Sequence, residues 1–545
     1  MAGRIKFLIL LFLIAYGIIL FRLYDLQIQK NSYYLARANS QYGGNIFLKA
    51  LRGGIYFKDK NNNLILGATN KNFPIIYAVP KEIEDSKETF YILKNIIPNL
   101  SDSLQNRLAK KNSSYALILK KAPPEIISKI KDLNLKGIYI NEIPERFYPF
   151  STLASHVLGY VSQNDNDDIE SGKYGIEKMY NNQLSGINGK IENNKIIEPI
   201  AGKDIILTID ANIQREAERI LSSLVLSQKA KSGMVIVQNP QSGEILAMAG
   251  VPNFDPNYYF KYDISNFLNP IVSKIYEPGS VLKVITMAIG LETKKITPET
   301  TFFDSGSLIL NGKIIKNWNS KVYGNVKMSN IIENSINTGA AFIQRQVGRS
   351  LFLDYLKKFG FDKKTNIDLP NEISGDLKSL EKNNAPDINF ATASFGQGIA
   401  ITPIELINSI SAIANGGKLM RPYLNSVLKP QIIRENIIST STAKEVIKMM
   451  VSAVDKAGVA KINGYSVAGK TGTAEVPDLI SGGYKESYIH TYVGFAPAYN
   501  ARFTILIRID EPEGAQLAGQ TVVPAFRELA QFILNYYNIL PDRIE

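Results

Sequence analysis

Cysteine is absent from the 545 residues, and histidine occurs twice, at His156 and His490. No disulfide can staple the chain, no thiolate can act as nucleophile, and a histidine-rich metal site is excluded. No metal and no cofactor is therefore expected, and the chemistry falls to hydroxyls, amines, carboxylates or backbone groups. Long runs of one charge are also missing. The 62 basic and 50 acidic residues give a net +12, and the lysines are scattered, as on a solvated surface and unlike a nucleic-acid footprint. Lys110-Lys111, Lys120-Lys121 and Lys129 to Lys136 read as amphipathic helix faces. Repeats and low-complexity tracts are absent. What is present, 545 residues of which 45% are apolar, suffices for two or three domains with their own cores.

Only one long apolar run occurs, Phe7 to Phe21, behind Arg4 and Lys6. At 1.5 Å per residue it spans about 22 Å, short of the ~30 Å hydrocarbon core unless Ile5, a snorkelling Arg22, Leu23 and Tyr24 extend it. The small-x-small pattern Ala36-Arg37-Ala38 lies too far beyond the run for ordinary signal cleavage. A retained signal anchor over residues 1–30 is expected. Basic residues flank both ends (Arg22, Lys30 and Arg37 follow), so orientation rests on the short N-terminal stretch staying in the cytoplasm, which places the bulk of the chain outside it.

GYSVAGKTGTAEV, residues 464–476, begins with a match to the phosphate-binding loop G-x-x-x-x-G-K-[ST]. That loop needs a helix starting at its Lys-Thr. Here Gly472 and Pro477 follow, and Ile480 to Tyr484 reads as a loop. The β-branched Val467, Thr471 and Thr473, separated by small residues, predict a strand instead. In a strand, Thr471 and Thr473 share one face and Gly472 permits close approach of a ligand, an edge suited to a peptide with a carboxylate end. ILIRIDE, residues 505–511, then reads as a neighbouring strand of the same sheet, not a magnesium-binding one.

A lysine-threonine-glycine strand directs attention upstream to a serine with a lysine one helical turn later. Five tetrapeptides match S-x-x-K, starting at Ser128, Ser280, Ser379, Ser426 and Ser441. Two are the same SVLK. Pro430 follows Lys429 and pushes the second out of helical geometry. Ser280 follows Glu277-Pro278-Gly279 and opens an apolar run without a breaker until Gly290. Three residues apart on a helix, Ser280 and Lys283 share a face, and the helix start leaves the Ser280 N–H free for an oxyanion. A free lysine keeps its proton to about pH 10.4, so a lysine base requires about 4 kcal/mol to lower it 3 units. A helix dipole supplies roughly 0.3–2 kcal/mol, and desolvation plus a second cation, Lys470, are expected to supply the remainder. Between these motifs, ENSINTGAAF sets Ser335 and Asn337 on a turn between two helices.

Ser280-x-x-Lys283, Ser335-x-Asn337 and Lys470-Thr471-Gly472, in that order, resemble the penicillin-recognising serine acyltransferases. The likeness covers nearly the whole chain and is closest to the class B penicillin-binding proteins, the monofunctional peptidoglycan D,D-transpeptidases. Arg52-Gly53-Gly54-Ile55, ERFYPFSTLASHVLGYVS (145–162) and YGIEKMYNNQLSG (174–186) resemble their pedestal. GKDIILTIDANIQREAE (202–218), GEILAMAGVPNFDPN (243–257) and FGQGIAITPIEL (395–406) resemble their transpeptidase domain. The last also reads as a helix boxed by Thr402 and Glu405 with Pro403 at its first position, ended by Gly416-Gly417. YFKDKNNN runs about two residues longer than the usual turn after the pedestal signature, and Ile336 replaces the aspartate of β-lactamases. IYEPGSVLK, with Glu277 where elongation enzymes carry a second proline, looks like the division type.

The resemblance implies an α+β fold: a serine acyltransferase domain with a five-stranded antiparallel sheet flanked by helices, preceded by an elongated α+β pedestal and one transmembrane helix. The expected domains are 1–30 (cytoplasmic N-terminus and anchor), 31–209 (pedestal) and 210–545 (transpeptidase). MVIVQN, EILAMAG, YSVAGKTGT, TYVGFAP and FTILIRID are the sheet strands, and Asp210 caps a helix burying Ile213, Ala217, Ile220, Leu221 and Leu224. By the same resemblance Ser280 is the nucleophile and Lys283 its base. Ser335 and Asn337 relay the proton and hold the substrate amide. Lys470, Thr471, Gly472 and Thr473 meet the terminal carboxylate of a D-Ala-D-Ala stem peptide, and β-lactams acylate Ser280. His156 and His490 are read as structural, the latter preceding TYVGFA. Implied partners are stem peptides, β-lactams, the membrane, a polytopic cell-wall glycosyltransferase and other division proteins, with no nucleic acid. Alternatives are a D-alanyl carboxypeptidase or β-lactamase that passes the acyl group to water, a β-lactam sensor or scaffold activating a glycosyltransferase, and a nucleotide hydrolase.

Overall fold

The computed structural model describes residues 2–25, 27, 49–164, 167–192, 195–478 and 482–543. Lys30, the Ala36-Arg37-Ala38 pattern and Ile480 lie outside the described residues. The chain divides into two compact units that interleave in sequence: Met1–Gly54, Ala68–Phe147 and Asn182–Asp204 in one, Ile55–Gly67, Tyr148–Asn181 and Ile205–Glu545 in the other.

In the smaller unit the N-terminal segment is a helix, Ala2–Tyr24, of which the 22 residues Gly3–Tyr24 are apolar enough to cross a membrane. At 1.5 Å per residue those span about 33 Å, so the helical flanks make up the length the apolar run lacks. Arg22 is paired with Asp25 at 2.9 Å. The rest is a small α+β layer. Strand Leu64–Ala78 lies between Ala116–Leu119 and Ile138–Phe147, antiparallel to both. Helices Ser86–Ile96, capped by the Asp85 carboxylate, and Pro124–Leu133 bury Phe90, Leu93 and Ile130 against Ile76, Ala78 and Ile118. Two of the lysine pairs are not on helix faces: Lys110-Lys111 follow the helix Ser103–Leu108, and Lys120-Lys121 follow the strand Ala116–Leu119. Propensity for helix in a lysine-rich stretch yields there to the short apolar runs that close the core.

In the larger unit a five-stranded antiparallel sheet is sandwiched by helices. Its strands are β1 (Ser232–Gln238), β2 (Ile245–Val251), β3 (Ala468–Pro477), β4 (Tyr484–Ala496) and β5 (Phe503–Asp510), in the order β2-β1-β5-β4-β3. The helices used below are α1 (Ala211–Ser227), α2 (Leu282–Glu292), α3 (Asn337–Val347), α4 (Pro403–Ala414), α5 (Thr440–Ala457) and α6 (Ala518–Tyr536). Both sheet faces are covered, which is why the strands read as near-continuous apolar runs. Ile505, Ile507 and Ile509 pack with α1 and α6 around Ile213, Leu221, Phe526 and Leu529, while Leu506 points to the other face. A buried isoleucine of this kind contributes roughly 1.5–3 kcal/mol. Asp210 caps α1 by accepting from Asn212 N and Ile213 N, a contribution of about 1 kcal/mol. ILIRIDE is β5, two places from β3, with β4 between them. α4 begins with the Thr402/Glu405 capping box, Pro403 in its first turn, and every residue in it is buried.

Candidate active site

Strand β3 is one of the two edge strands of the sheet, and the turn before α2 lies against it. Gly279–Val281 is a short 3-10 turn running directly into α2, so Ser280 stands at the start of an apolar helix whose residues Leu282 to Gly290 are all buried. The close approach of turn and strand needs a residue without a side chain. A Cβ on Gly472 would come within 2.8 Å of Pro278 O and 3.0 Å of Val281 Cγ2. Gly472 thus admits the turn that carries Ser280, where the sequence reading had it admit a ligand.

The alternation of β3 sorts its motif to two faces. Lys470 and Gly472 point to the α2 side. Thr471 and Thr473 point the other way, and Thr473 Oγ1 accepts from Ala518 N, at the start of α6, at 3.3 Å. Lys470 Nζ donates to Ser335 Oγ and to Thr471 O, both at 3.1 Å. Ser335 sits with positive φ (56°) in the turn between helix Met328–Glu333 and α3.

Lys283 is at the centre. Its side chain is 1% exposed, and its Nζ lies 3.1 Å from Ser280 Oγ, 2.5 Å from Ser335 O, 3.1 Å from Ser335 Oγ and 2.7 Å from Asn337 Oδ1. A neutral amine has two N–H donors and one lone pair. With the donors on Ser335 O and Asn337 Oδ1, the lone pair is left for the Ser280 hydroxyl. Burial, and then the charge of Lys470, push the Lys283 amine well below the usual lysine range. Burial brings Lys470 down to about 7. The two amines share Ser335 Oγ as a hydrogen-bond partner.

Of the residues singled out in the sequence, Ser280, Lys283, Ser335, Asn337 and Lys470 form one hydrogen-bonded cluster. Thr471 borders it through its carbonyl and, 3.4 Å from Lys470 Nζ, its hydroxyl, Gly472 through its backbone, and Thr473 faces α6. The sequence reading missed three supports. Lys316 O accepts from Asn337 Nδ2 at 2.8 Å, which fixes the amide with its oxygen toward Lys283. Gly396 O accepts from Gly279 N at 3.1 Å, so FGQGIAITPIEL buttresses the Ser280 turn besides opening α4. Glu277 accepts from Gly398 N at 2.9 Å and from Tyr484 OH at 3.0 Å, joining that stretch to β4. The glycine pair just ahead of the capping box was the available signal for the second of these.

The remaining candidates are accounted for by packing. His156 is buried edge-on to Phe254, and burial lowers it to about 4. His490 lies inside β4, not ahead of it, because the hairpin with β3 extends the strand back to Tyr484; its ring contacts Thr521 Oγ1 and Gln516 O. No helix follows Lys470, so no phosphate cradle forms, and Asp510 is engaged by Arg508 at 2.7 Å.

A family model described as "Penicillin binding protein transpeptidase domain" matches residues 233–531, which hold this whole cluster. The chain belongs to that family. A second model, "Penicillin-binding Protein dimerisation domain", matches residues 47–200 of this penicillin-binding protein. Among curated relatives, the peptidoglycan D,D-transpeptidase FtsI of Buchnera aphidicola subsp. Baizongia pistaciae is 32% identical over 99% of this chain and 96% of its own length. Stage V sporulation protein D of Bacillus subtilis is 30% identical over 94% of this chain and 83% of its own. The FtsI of Escherichia coli K12 is 29% identical over 86% of this chain and 81% of its own.

Proposed function

We propose that this penicillin-binding protein is a serine D,D-transpeptidase that cross-links peptidoglycan during division, with Ser280 as nucleophile. The observation that carries the reading is the buried amine of Lys283, 3.1 Å from Ser280 Oγ, with its other contacts on Ser335 and Asn337. Neutral Lys283 takes the proton as Ser280 Oγ bonds to the carbonyl carbon between the two terminal D-alanines. The N–H groups of Ser280 and Thr473 hold the oxyanion. As the amide C–N bond breaks, Ser335 passes the proton from Lys283 to the departing D-alanine nitrogen, while Asn337 holds the substrate amide. Lys470, Thr471, Gly472 and Thr473 receive the terminal carboxylate. The amine of a neighbouring stem peptide then attacks the ester, and Ser280 regains its proton. A β-lactam opens on the same hydroxyl and stays.

The division role is supported by the FtsI relatives and by Glu277 ahead of Pro278-Gly279-Ser280. The helix Gly3–Tyr24 anchors the chain in the cell membrane, with the remainder on the extracytoplasmic side, where the substrate is. A polytopic cell-wall glycosyltransferase and other division proteins are its partners. The functional division follows from this: anchor 1–30, pedestal 31–209, transpeptidase 210–545.

Labelling by fluorescent penicillin, with the adduct mapped by mass spectrometry, tests the reading. A Ser280 adduct that is lost in Ser280→Ala is expected; an adduct on another side chain, or trapping by the alanine variant, would overturn it. Transfer of the acyl group to a supplied amine, measured against D-alanine release to water, separates a transpeptidase from a carboxypeptidase.

A further inference from the structure

The first N–H groups of an α-helix have no partner within it and are commonly met by the side chain of the N-cap residue. At α3 the N-cap is Ile336, which has nothing to offer. The helix start is nevertheless satisfied from another part of the chain. Asn317 Oδ1 accepts from Asn337 N at 3.0 Å and from Thr338 N at 3.3 Å. Asn317 is itself held, its Nδ2 donating to Asp304 Oδ2 at 2.8 Å and to Lys321 O at 3.0 Å. Among the described residues the fully buried Asp304 has no ion pair, and its carboxylate is satisfied by hydrogen bonds alone. Besides Asn317 it accepts from Thr338 Oγ1 at 2.6 Å and from the N–H groups of Gly306 and Tyr323, both at 2.9 Å. A negative charge beside a helix N-terminus is favourable.

We propose that Asn317 and Asp304 are positioning residues for the acyl-transfer site. They clamp the start of α3 so that Asn337 keeps its amide oxygen on Lys283 Nζ and its carbonyl neighbour Ser335 stays within reach of the same amine. Neither side chain touches Ser280 or Lys283. Both lie on the excursion 301–327, whose last residues before Asn317 include Lys316, the acceptor for Asn337 Nδ2. The same excursion therefore holds Asn337 at two points, backbone and side chain, and a displacement of the clamp moves the general-base environment directly. The inference rests on the transpeptidase reading given above.

The test uses the full chain and the time course of acylation by a fluorescent penicillin, which separates the acylation rate constant from the dissociation constant of the complex that precedes it. Asn317→Asp keeps an acceptor for the helix but loses the donor to Asp304 and sets two carboxylates together. Its acylation rate constant is expected to fall about 10- to 100-fold, as for an ångström-scale misplacement, with the dissociation constant moving much less. Asp304→Asn combined with Asn317→Asp restores a donor and an acceptor between the two positions, but turns the new amide toward Tyr323 N–H and the new carboxylate toward Lys321 O, and is expected to recover part of the lost rate. A purely structural pair would lower the melting temperature and leave the rate constant of the folded fraction untouched. An unchanged rate constant in Asn317→Asp, or a double variant no faster than that single variant, would overturn the proposal. Absence of labelling in the unsubstituted protein would instead overturn the transpeptidase reading itself.

Discussion

The tetrapeptide SVLK occurs twice in this chain, and the two copies differ in almost everything that matters chemically. At 280–283 it runs from a 3-10 turn into α2, Val281 is fully buried, and Lys283 is 1% exposed, with its amine 3.1 Å from the serine hydroxyl. At 426–429 it is an irregular turn. Ser426 N donates to Ile206 O, Val427 is 79% exposed, and Lys429 points into solvent ahead of Pro430. The same four side chains give a buried, hydrogen-bonded pair in one place and ordinary surface in the other. On the proposed mechanism the reactivity of the first copy comes from the burial of its amine and from the cation beside it.

The sharpest way to break this contrast is to remove the two amines in turn. Lys283→Ala should lower the rate of penicillin acylation by about 10²- to 10⁴-fold, the usual worth of a positioned general base. Lys429→Ala should leave it within about twofold, as expected for a surface change. Equal losses in labelling time courses would show that the environment is not what separates the copies.

A smaller effect is expected from spoiling the fit between turn and strand. Gly472→Ala puts a methyl 2.8 Å from Pro278 O and 3.0 Å from Val281 Cγ2, and a shift of this kind should slow acylation by about 100-fold. Gly458→Ala, where a Cβ meets nothing within 4 Å, controls for loss of backbone freedom, since its positive φ is strained by any side chain. Comparable slowing in both would remove the special role of the strand edge.

The cation beside Lys283 can be removed without touching the serine. On the proposed mechanism acylation needs neutral Lys283, so its rate should rise with pH through the titration of that amine. Lys470 favours the neutral form of Lys283 by repulsion. Lys470→Gln should therefore move the acid limb of the pH–rate profile upward, and an acid limb that stays in place would mean that desolvation alone tunes the base.

The smallest expected effect is on stability. Burial brings Lys470 in the folded chain down to about 7, against about 10.4 for an exposed lysine. Between those values the unfolded chain holds a proton that the folded chain has lost, so this residue makes stability rise with pH by about 1.4 kcal/mol per unit. Below about pH 7 the penalty is constant and fully present. Lys470→Met removes it, so the melting temperature of the variant relative to the unsubstituted protein should fall as pH is raised from 7.5 to 9.5. A constant offset would argue against a buried, proton-shedding amine.

Much of the larger unit was legible in the residues. The strand runs, the Asp210 and Thr402 caps, and the identity of Ser280 as the S-x-x-K serine at a helix start follow from periodicity and from breakers such as Pro430, which act over a few residues. The apolar stretch at the N-terminus was legible for the same reason. The lysine pairs at 110–111 and 120–121 were misplaced because composition does not reveal where a short strand or turn must close a core. His490 was set one step outside its strand because cross-strand pairing, not local pattern, extended β4 to Tyr484.

By itself the sequence determined which local elements form and which residue types are available for acyl transfer, since propensity, capping and period depend on near neighbours along the chain. Only the tertiary structure decided that Lys283 is dry, that Lys470 stands beside it across Ser335, that Gly472 admits the serine turn, and that Asn317, held by Asp304, caps a helix it does not belong to. Those facts depend on groups tens to hundreds of residues apart excluding water together, and the free energy of a charge is set by what surrounds it in space.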